Sequence, residues 1–456
     1  MKKPTKRKTE TVLLIGAAEF TDKIQPVLSH LRFKYDTASA YPEITRKIQA
    51  RNTGIVIFDD SVCSSGIIRK KTLKTLYSCK KIYIYVSSIK NISHMEEVKD
   101  LGATDYMIKP FSIHEFALRF SACAEEKTRV SCIGGGTGLF NLLMGLKTLP
   151  GVLPVSIVST ADDGGSSGRL KSSFGILPPG DIRRSLVALS SAPELMNRVI
   201  RYRFKKGGDL RGHSFGNLFL TVLSEICGSM PKAIRGLSDI LRIRGIVFPV
   251  ADTKTTLNAM FEDGSIIKGE SNIDLGKGRD INLRVKKCWH EPPLRCDARA
   301  YASILNSEII TIGPGDLFTS VITNLLIKDI REAILKTTAK KIYICNLMTK
   351  PGETPGYTAA DHLREIVKYL GRDCLDYVIV SDTLPASAAK TRYSRKKQFQ
   401  VKAGKISLLK KLTGAKIIIA DVGHKNDLIH HNSVRLRNTI KKIIDENPKN
   451  NKRGKT

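Results

Sequence analysis

The segment Arg129 to Leu139, Arg-Val-Ser-Cys-Ile-Gly-Gly-Gly-Thr-Gly-Leu, constrains the fold more than any other part of the 456-residue chain. Val130 to Ile133 is short, apolar and partly β-branched, the signature of a buried strand. Gly134, Gly135, Gly136 and Gly138 follow at once, and Leu139, Leu142, Leu143 and Leu146 then recur at helical spacing. Strand, glycine loop and helix in that order bring backbone N–H groups and a helix N-terminus around a phosphate. Glycine is required where a Cβ would block the approach of an oxyanion. A tight structural turn has the same sequence appearance, so the loop needs companions.

The rest of the chain predicts two α/β units. Residues 9–125 carry strand candidates at Thr11–Ile15, Phe33–Thr37, Gly54–Phe58, Lys81–Val86 and Tyr106–Ile108, alternating with helical stretches, which implies a doubly wound parallel sheet. Glu125 to Arg129 is a polar boundary. Residues 129–445 form the larger unit, with candidates at Val130–Ile133, Val155–Ser159, Ile309–Ile312, Lys341–Cys345, Tyr377–Val380 and Lys416–Ala420. Residues 446–456 are expected to be a disordered basic tail.

Composition removes several classes. No apolar run reaches the roughly 20 residues of a membrane helix, and Val12 to Ile15 is too short for a signal-peptide core. The expectation is a cytoplasmic protein without a membrane span. Nine cysteines, none in a C-x-x-C pair, point to a reducing compartment and no zinc site. The net charge of +32 would suit a nucleic acid, yet the excess is spread along the chain and aromatic content is 6%, so no specific nucleic-acid partner is expected.

In the first unit, Gly102-Ala-Thr-Asp-Tyr-Met-Ile-Lys-Pro-Phe111 resembles the end of a response-regulator receiver domain. The resemblance puts Asp59 at the phosphoacceptor position, Ser87 at the switch hydroxyl, Tyr106 at the switch aromatic and Lys109 at the phosphate-pairing lysine. Receivers hold Mg²⁺ with an acidic pair after the first strand; here the sequence is Gly16-Ala17-Ala18-Glu19. Too few oxygen ligands remain for a hard cation. The expectation is a flavodoxin-like pseudo-receiver, inactive in phosphotransfer, used for docking or dimerisation, with a regulatory protein as the candidate partner.

In the second unit the glycine loop has companions. Thr160-Ala-Asp-Asp-Gly-Gly-Ser-Ser-Gly-Arg-Leu170 combines Asp162 and Asp163 with Ser166, Ser167 and Arg169. Such a loop suits Mg²⁺-assisted handling of a diphosphate: carboxylates for the metal, small residues that admit the phosphates, and a guanidinium fork. A solvated turn is the plainer reading. Pro178-Pro-Gly-Asp-Ile-Arg183, Arg211-Gly-His-Ser-Phe-Gly-Asn217 and Ile312-Gly-Pro-Gly-Asp-Leu-Phe-Thr-Ser320 follow. A dinucleotide oxidoreductase is a first alternative, with Asp162 near a ribose-binding position. The loop, however, is G-G-G-T-G-L rather than G-x-G-x-x-G, and the later segments have no place in that scheme.

Together these segments, with Asn346-Leu-Met-Thr-Lys-Pro-Gly-Glu-Thr354 and Tyr357 to His362, resemble the YvcK/CofD-like family over about residues 129–445. The Gly-Gly-Ser-Ser-Gly-Arg loop is similar to the bacterial YvcK branch. The resemblance implies a modified Rossmann-like fold that binds a UDP-sugar such as UDP-N-acetylglucosamine, with roles in gluconeogenesis, cell-wall precursor supply and cell shape, in a self-associating protein. The other branch comprises 2-phospho-L-lactate transferases, which move a phospholactyl group with Mg²⁺. Carried over by position, Gly134, Gly135, Gly136, Thr137 and Gly138 contact phosphate. Asp162, Asp163 and Asp181 form the acidic cluster, catalytic if the chain is an enzyme, with Asp162 and Asp163 as metal ligands. Ser166, Ser167, Arg169, Gly180, His213, Ser214 and Asn217 line the nucleotide pocket, with Gly313, Pro314 and Gly315 opposite. Tyr393 and His430 contact the nucleotide sugar.

Two positions depart from the family. Asp316 stands where the family has Ser after Gly-Pro-Gly, an added anion beside a diphosphate that a metal or a lysine must neutralise. His430-His431-Asn432 stands for Arg-His-Asp, so a fixed guanidinium has become a titratable ring. Among other residues, His290 and His94 are expected at the surface, Trp289 at the surface or a partner contact, and His362 beside an N-capping Asp361. Arg392 to Lys397 is expected as a solvated basic face or a phosphate-gripping segment.

Overall fold

The computed structural model of the chain describes residues 10–50, 52–62, 66–79, 81–125, 127–276, 280–424 and 430–446. The basic run Lys2–Lys8, Cys63 and tail residues 447–456 lie outside this description. The chain divides into two compact units, Met1–Lys127 with Tyr301–Asn306, and Thr128–Ala300 with Ser307–Thr456.

The first unit contains β1 (Thr11–Ile15), β2 (Tyr35–Ala38), β3 (Thr53–Asp59), β4 (Ile82–Ser87) and β5 (Asp105–Ile108) in the order β2-β1-β3-β4-β5. All pairs are parallel. This is the flavodoxin-like doubly wound order. Val12, Leu14, Ile55, Ile57, Ile84 and Val86 of the sheet pack with Ile24, Phe116 and Phe120 of the helices. Strand β2 starts two residues later than the apolar pattern suggests, because the Phe33 N–H closes a turn onto the Leu28 carbonyl at 2.9 Å. Asp59 is fully buried at the end of β3, and Lys109 Nζ donates to both of its oxygens, at 2.6 and 2.7 Å. Ser87 faces a different acid: its hydroxyl donates to Asp60 Oδ2 at 2.5 Å. The Tyr106 hydroxyl donates to the Ile89 carbonyl.

His94 corrects the surface expectation. Its ring packs against Tyr85 and Tyr106, with centroids 5.7 and 6.0 Å away.

The second unit is built on β6 (Thr128–Gly134), β7 (Val152–Val158), β8 (Ile246–Pro249), β12 (Ile309–Ile312), β13 (Lys340–Ile344), β14 (Tyr377–Ser381) and β15 (Lys416–Ala420). Their order is β15-β14-β13-β12-β6-β7-β8, parallel throughout. This is the Rossmann order 3-2-1-4-5-6 with one strand added. The chain leaves β6 toward β7 and β8, then returns to the other side of β6 as β12. The switch point therefore lies between β6 and β12, and the loops after these strands open a crevice at the carboxyl edge. The glycine loop Gly134–Gly138 and the Gly313–Asp316 turn are those two loops.

Two features have no counterpart among the strands expected from the sequence. Strand β8 is four residues long and ends on a proline. A separate antiparallel sheet, β10-β9-β11, is made of β9 (Thr256–Phe261), β10 (Ile266–Lys268) and β11 (Val285–Glu291). It corrects the expectation for His290, which is 8% exposed and lies 2.9 Å from the Thr323 hydroxyl. Burial pulls this ring down to about 4. Trp289 beside it is half-buried. His362 is fully buried, its Nδ1 2.9 Å from the Thr358 carbonyl. The N-cap there is Thr358, and Asp361 is the reciprocal partner three residues on, a capping box rather than a cap at Asp361.

Among the described residues no helix is long and apolar enough to cross a membrane, and no two of the eight described cysteines are joined in a disulfide.

Candidate functional site

Three helices begin around the crevice: Gly136–Leu146 after β6, Gly165–Phe174 after β7, and Pro179–Leu189. Each has at least two turns of aligned peptides behind it, so three partial positive ends face one space. Around that space lie two cavities. The larger, about 420 Å³, is lined by Gly136, Thr137, Asp162, Gly164, Gly165, Ser166, Ser167, Gly180, Asp181 and Asn217 of the motifs singled out in the sequence. The smaller, about 220 Å³, takes Gly135, Gly136, Thr137, Gly138, Gly315, Tyr393 and His430. They share Gly136 and Thr137 on one side and Asp316 and Lys350 on the other.

The glycines are explained by close packing. A Cβ on Gly135 would stand 2.4 Å from Asp181 Oδ2, and one on Gly180 would stand 2.4 Å from Asp162 Oδ2 and Ser167 Oγ. Gly138 presses against the Pro314 carbonyl, where a Cβ would be 2.9 Å from its carbon and oxygen. Gly134 does the same at 3.3 Å. Gly134, Gly313 and Pro314 line neither cavity; they seat one loop on the other across the switch point.

Three further residues act from behind the wall. His213 is 7% exposed and its Nδ1 lies 3.0 Å from Ser166 Oγ. The Ser214 N–H also points to Ser166 Oγ, at 3.4 Å. Arg169 does not supply the expected fork: its guanidinium donates to the carbonyls of Asp209 and Arg211. Small residues at its base leave the guanidinium free to reach across to the 208–211 turn.

Cations in the cavity come from elsewhere. Arg183, Arg184 and Arg203 line the larger cavity. Burial, and then the charges of Arg184 and Arg203, pull Arg183 down to about 10. Crowded cations of this kind favour a bound anion. Arg183 Nε donates to Asn217 Oδ1 at 2.8 Å, and Asn217 Nδ2 donates to Ser166 Oγ at 3.1 Å. Asn217 thus holds the guanidinium and the hydroxyl in fixed relation. Arg184 and Arg203 had no motif to mark them; only the turn of Pro179–Leu189 toward the cavity and the antiparallel bridge Arg203–Ser214 place them here.

The acids divide by role. Asp163 is not placed to bind a metal: its oxygens accept the N–H groups of Glu270 and Ser271, at 3.0 and 2.7 Å. It caps the helix Glu270–Leu275. Asp162 lines the cavity, with one oxygen taken by the Gly164 N–H at 3.0 Å. Asp181 accepts from Gly136 N–H and Arg184, both at 3.0 Å, and burial raises its pKa. Glu270 is raised to about 9 by burial and by the neighbouring charges of Asp162, Asp274 and Glu353.

Asp316 has the neutralising lysine that its position demands. Lys350 Nζ pairs with Asp316 at 2.5 Å and with Asp274, and sits 3.8 Å from Glu353. Burial opposes the charge on Lys350, but Asp316, Glu353 and Asp274 outweigh it and hold the pKa high. Among the described residues, Asp274, Asp316 and Glu353 also bring carboxylate oxygens within 4.8 Å of one another. Glu353 is fully buried and accepts the N–H groups of Phe318 and Thr319 at 3.0 and 3.2 Å. It thereby fixes the π-helical turn Leu317–Ile322 that follows Asp316.

All the lining residues of this cleft except His430 and His431 lie within residues 130–422, which match the family described as 2-phospho-L-lactate transferase CofD. The chain belongs to the CofD family. Within it, the gluconeogenesis factor of Bacillus subtilis is 39% identical over 326 residues, covering 70% of this chain and 99% of that protein. A Thermotoga maritima relative is 38% identical over 317 residues, covering 69% and 99%. A UPF0052-family crystal structure from Bacillus halodurans superposes with a TM-score of 0.65 at 40% identity, over 69% of this chain and 99% of that one.

Proposed function

We propose that the CofD-family unit binds a nucleoside-diphosphate sugar of the UDP-N-acetylglucosamine type and acts as a regulatory protein of central carbon metabolism and cell-wall precursor supply. The carrying observation is the convergence of three helix N-termini with Arg183, Arg184 and Arg203 beside a second cavity. A diphosphate at the shared residues Gly136, Thr137 and Lys350 would let one cavity take the sugar and the other the nucleoside. Relatives bearing the name gluconeogenesis factor support the regulatory role.

Mg²⁺ belongs to the same proposal. Asp162 fits it as an oxygen donor on the cavity wall, whereas Asp163 is spent on the helix cap. Bound there, the ion would neutralise diphosphate charge.

A second reading, phospholactyl transfer, is favoured by the family description and by Asp181, whose raised pKa suits a base for a hydroxyl proton. Calorimetry with UDP-N-acetylglucosamine, with and without Mg²⁺, followed by an assay for released nucleoside phosphate, separates the two. Binding without turnover is expected. Mg²⁺-dependent release would establish the transferase, and failure to bind any nucleoside-diphosphate sugar would overturn the regulatory reading.

Self-association is part of this reading, supported by Leu195, Val199, Val222 and Ile226, exposed on helices Glu194–Arg201 and Phe215–Cys227. The first unit is proposed to dock a regulatory protein partner.

A further inference from the structure

In the first unit, Asp60 is the hub of a hydrogen-bond network that no motif marked. It follows the last residue of β3 and opens the turn Asp60–Val62. Lys109 engages both oxygens of its neighbour Asp59, while the hydroxyls of β4 turn to Asp60. Ser87, fully buried, donates to Asp60 Oδ2 at 2.5 Å, and the Tyr85 hydroxyl donates to the same oxygen at 3.2 Å. An ionised carboxylate only accepts, and hydrogen bonds to it are stronger than those between neutral groups.

Two lines of contact run from Asp60 to the helix Ile92–Asp100. Along the first, Ser87 Oγ accepts the Ile89 N–H at 3.0 Å, and the Ile89 carbonyl accepts the Tyr106 hydroxyl at 3.0 Å. The loop after β4 is thereby tied to β5. Tyr106 lies inward, 3% exposed, its ring stacked on Tyr85 with centroids 5.3 Å apart. Along the second, the one proton of the Tyr85 hydroxyl goes to Asp60, which leaves its lone pairs to His94 Nε2, 3.3 Å away. His94 is the third residue of the helix, so the helix start is fixed through both lines.

The same helix presents Glu96 and Lys99 to Tyr301–Asn306, the segment that completes this unit. The Tyr301 hydroxyl bonds the Glu96 carboxylate. Lys99 Nζ donates to Asn306 Oδ1 at 2.8 Å, and Asn306 Nδ2 donates to Asp105 Oδ1 at 2.9 Å. Tyr301 is fully buried and Asn306 nearly so. Buried polar side chains of this kind need their partners held in place.

We propose that Asp60 is a built-in latch, which fixes the loop after β4, the inward Tyr106 and the helix Ile92–Asp100 in the form that receives Tyr301–Asn306. The anchoring anion belongs to the chain itself, so no group added at Asp59 is needed to hold this form. The face of the helix that carries Glu96 and Lys99 serves the chain's own segment, and an outside protein partner of this unit meets a different face.

Hydrogen exchange of the full chain, read peptide by peptide by mass spectrometry, and nitration of Tyr106 by tetranitromethane test the latch. Asp60→Ala should speed exchange of the amides 87–91 about tenfold or more, open Tyr106 to nitration and raise exchange in 301–306, while 11–15 and 53–58 stay protected. Ser87→Ala removes the donor and leaves Asp60 in place. It should reproduce the change, and the double variant should add little, because both substitutions break the same bond. Parent-like exchange at 87–91 and an unmodified Tyr106 in Ser87→Ala would overturn the latch, even where Asp60→Ala fails to fold. Loosening confined to 87–91, with 301–306 still protected, would overturn its link to that segment.

Discussion

Asp181 Oδ2 accepts the backbone N–H of Gly136 at 3.0 Å, so a carboxylate from one helix occupies the first turn of another. The contact exists because Gly135 has no side chain. It joins the loop after β6 to the helix Pro179–Leu189, and it puts a titratable acid where ligand oxygens would compete for the same donor.

Gly135→Ala and Gly138→Ala should both destabilise the second unit, by about 1–3 kcal/mol. The larger effect is expected at Gly138. Its added Cβ would meet the Pro314 carbonyl, which is backbone, whereas at Gly135 the obstacle is the movable carboxylate of Asp181. Urea midpoints of the two variants measure the difference, and equal losses would contradict the packing argument.

Lys350→Met should weaken binding of a UDP-sugar by about tenfold or more. It removes the cation that pairs Asp316 and Asp274 and lies near Glu353 at the junction of the cavities. Calorimetry reads the affinity. Unchanged affinity would mean that Lys350 only holds the carboxylates apart.

Asp163→Asn and Asp162→Asn should separate structure from ion binding. Loss of the Asp163 cap on Glu270 and Ser271 should cost about 1 kcal/mol of stability. The Mg²⁺ dependence of ligand binding should persist in Asp163→Asn and fall in Asp162→Asn. The reverse pattern would return the metal role to Asp163.

Stability should fall as pH rises from about 4.5 toward 9, in part through Glu270. Its folded pKa, about 9, lies above the ordinary 4.5, so the folded state holds the proton more tightly than the unfolded chain. The favourable contribution is complete below the unfolded value and is lost as pH climbs through the folded one. Glu270→Gln keeps a neutral side chain at every pH. Melting temperatures of the variant and the parent chain should agree more closely at pH 5 than at pH 8.5, with the variant gaining at the higher pH.

Acetyl phosphate with Mg²⁺ should leave Asp59 unmodified. The carboxylate is fully buried, Lys109 engages both of its oxygens, and the Ser61 N–H takes one of them at 3.1 Å. Intact mass spectrometry of the full chain reads the outcome. A phosphate-sized increase mapped to Asp59 would show that the unit still accepts phosphate.

Local patterns determined much of this protein. The alternation of short apolar runs with amphipathic stretches marked the five strands of the first sheet and six of the seven in the second, because strands buried on two faces read as short apolar runs; β8, four residues ending on a proline, was too short to register. Glycines and acids after β6, β7 and β12 marked the crevice, since loops at one sheet edge converge whatever their separation in sequence. Tertiary structure alone decided which side chains face that crevice. Asp162 and Asp163 are adjacent and chemically identical, yet successive backbone directions send one to the cavity and the other to a helix cap. Arg169 lies in the motif and turns away, while Arg184 and Arg203 have no motif and turn in. The pairings of Lys350 with Asp274 and Asp316 join segments far apart in the chain. Side-chain direction and charge balance at such meetings depend on packing between elements, which sequence periodicity does not encode.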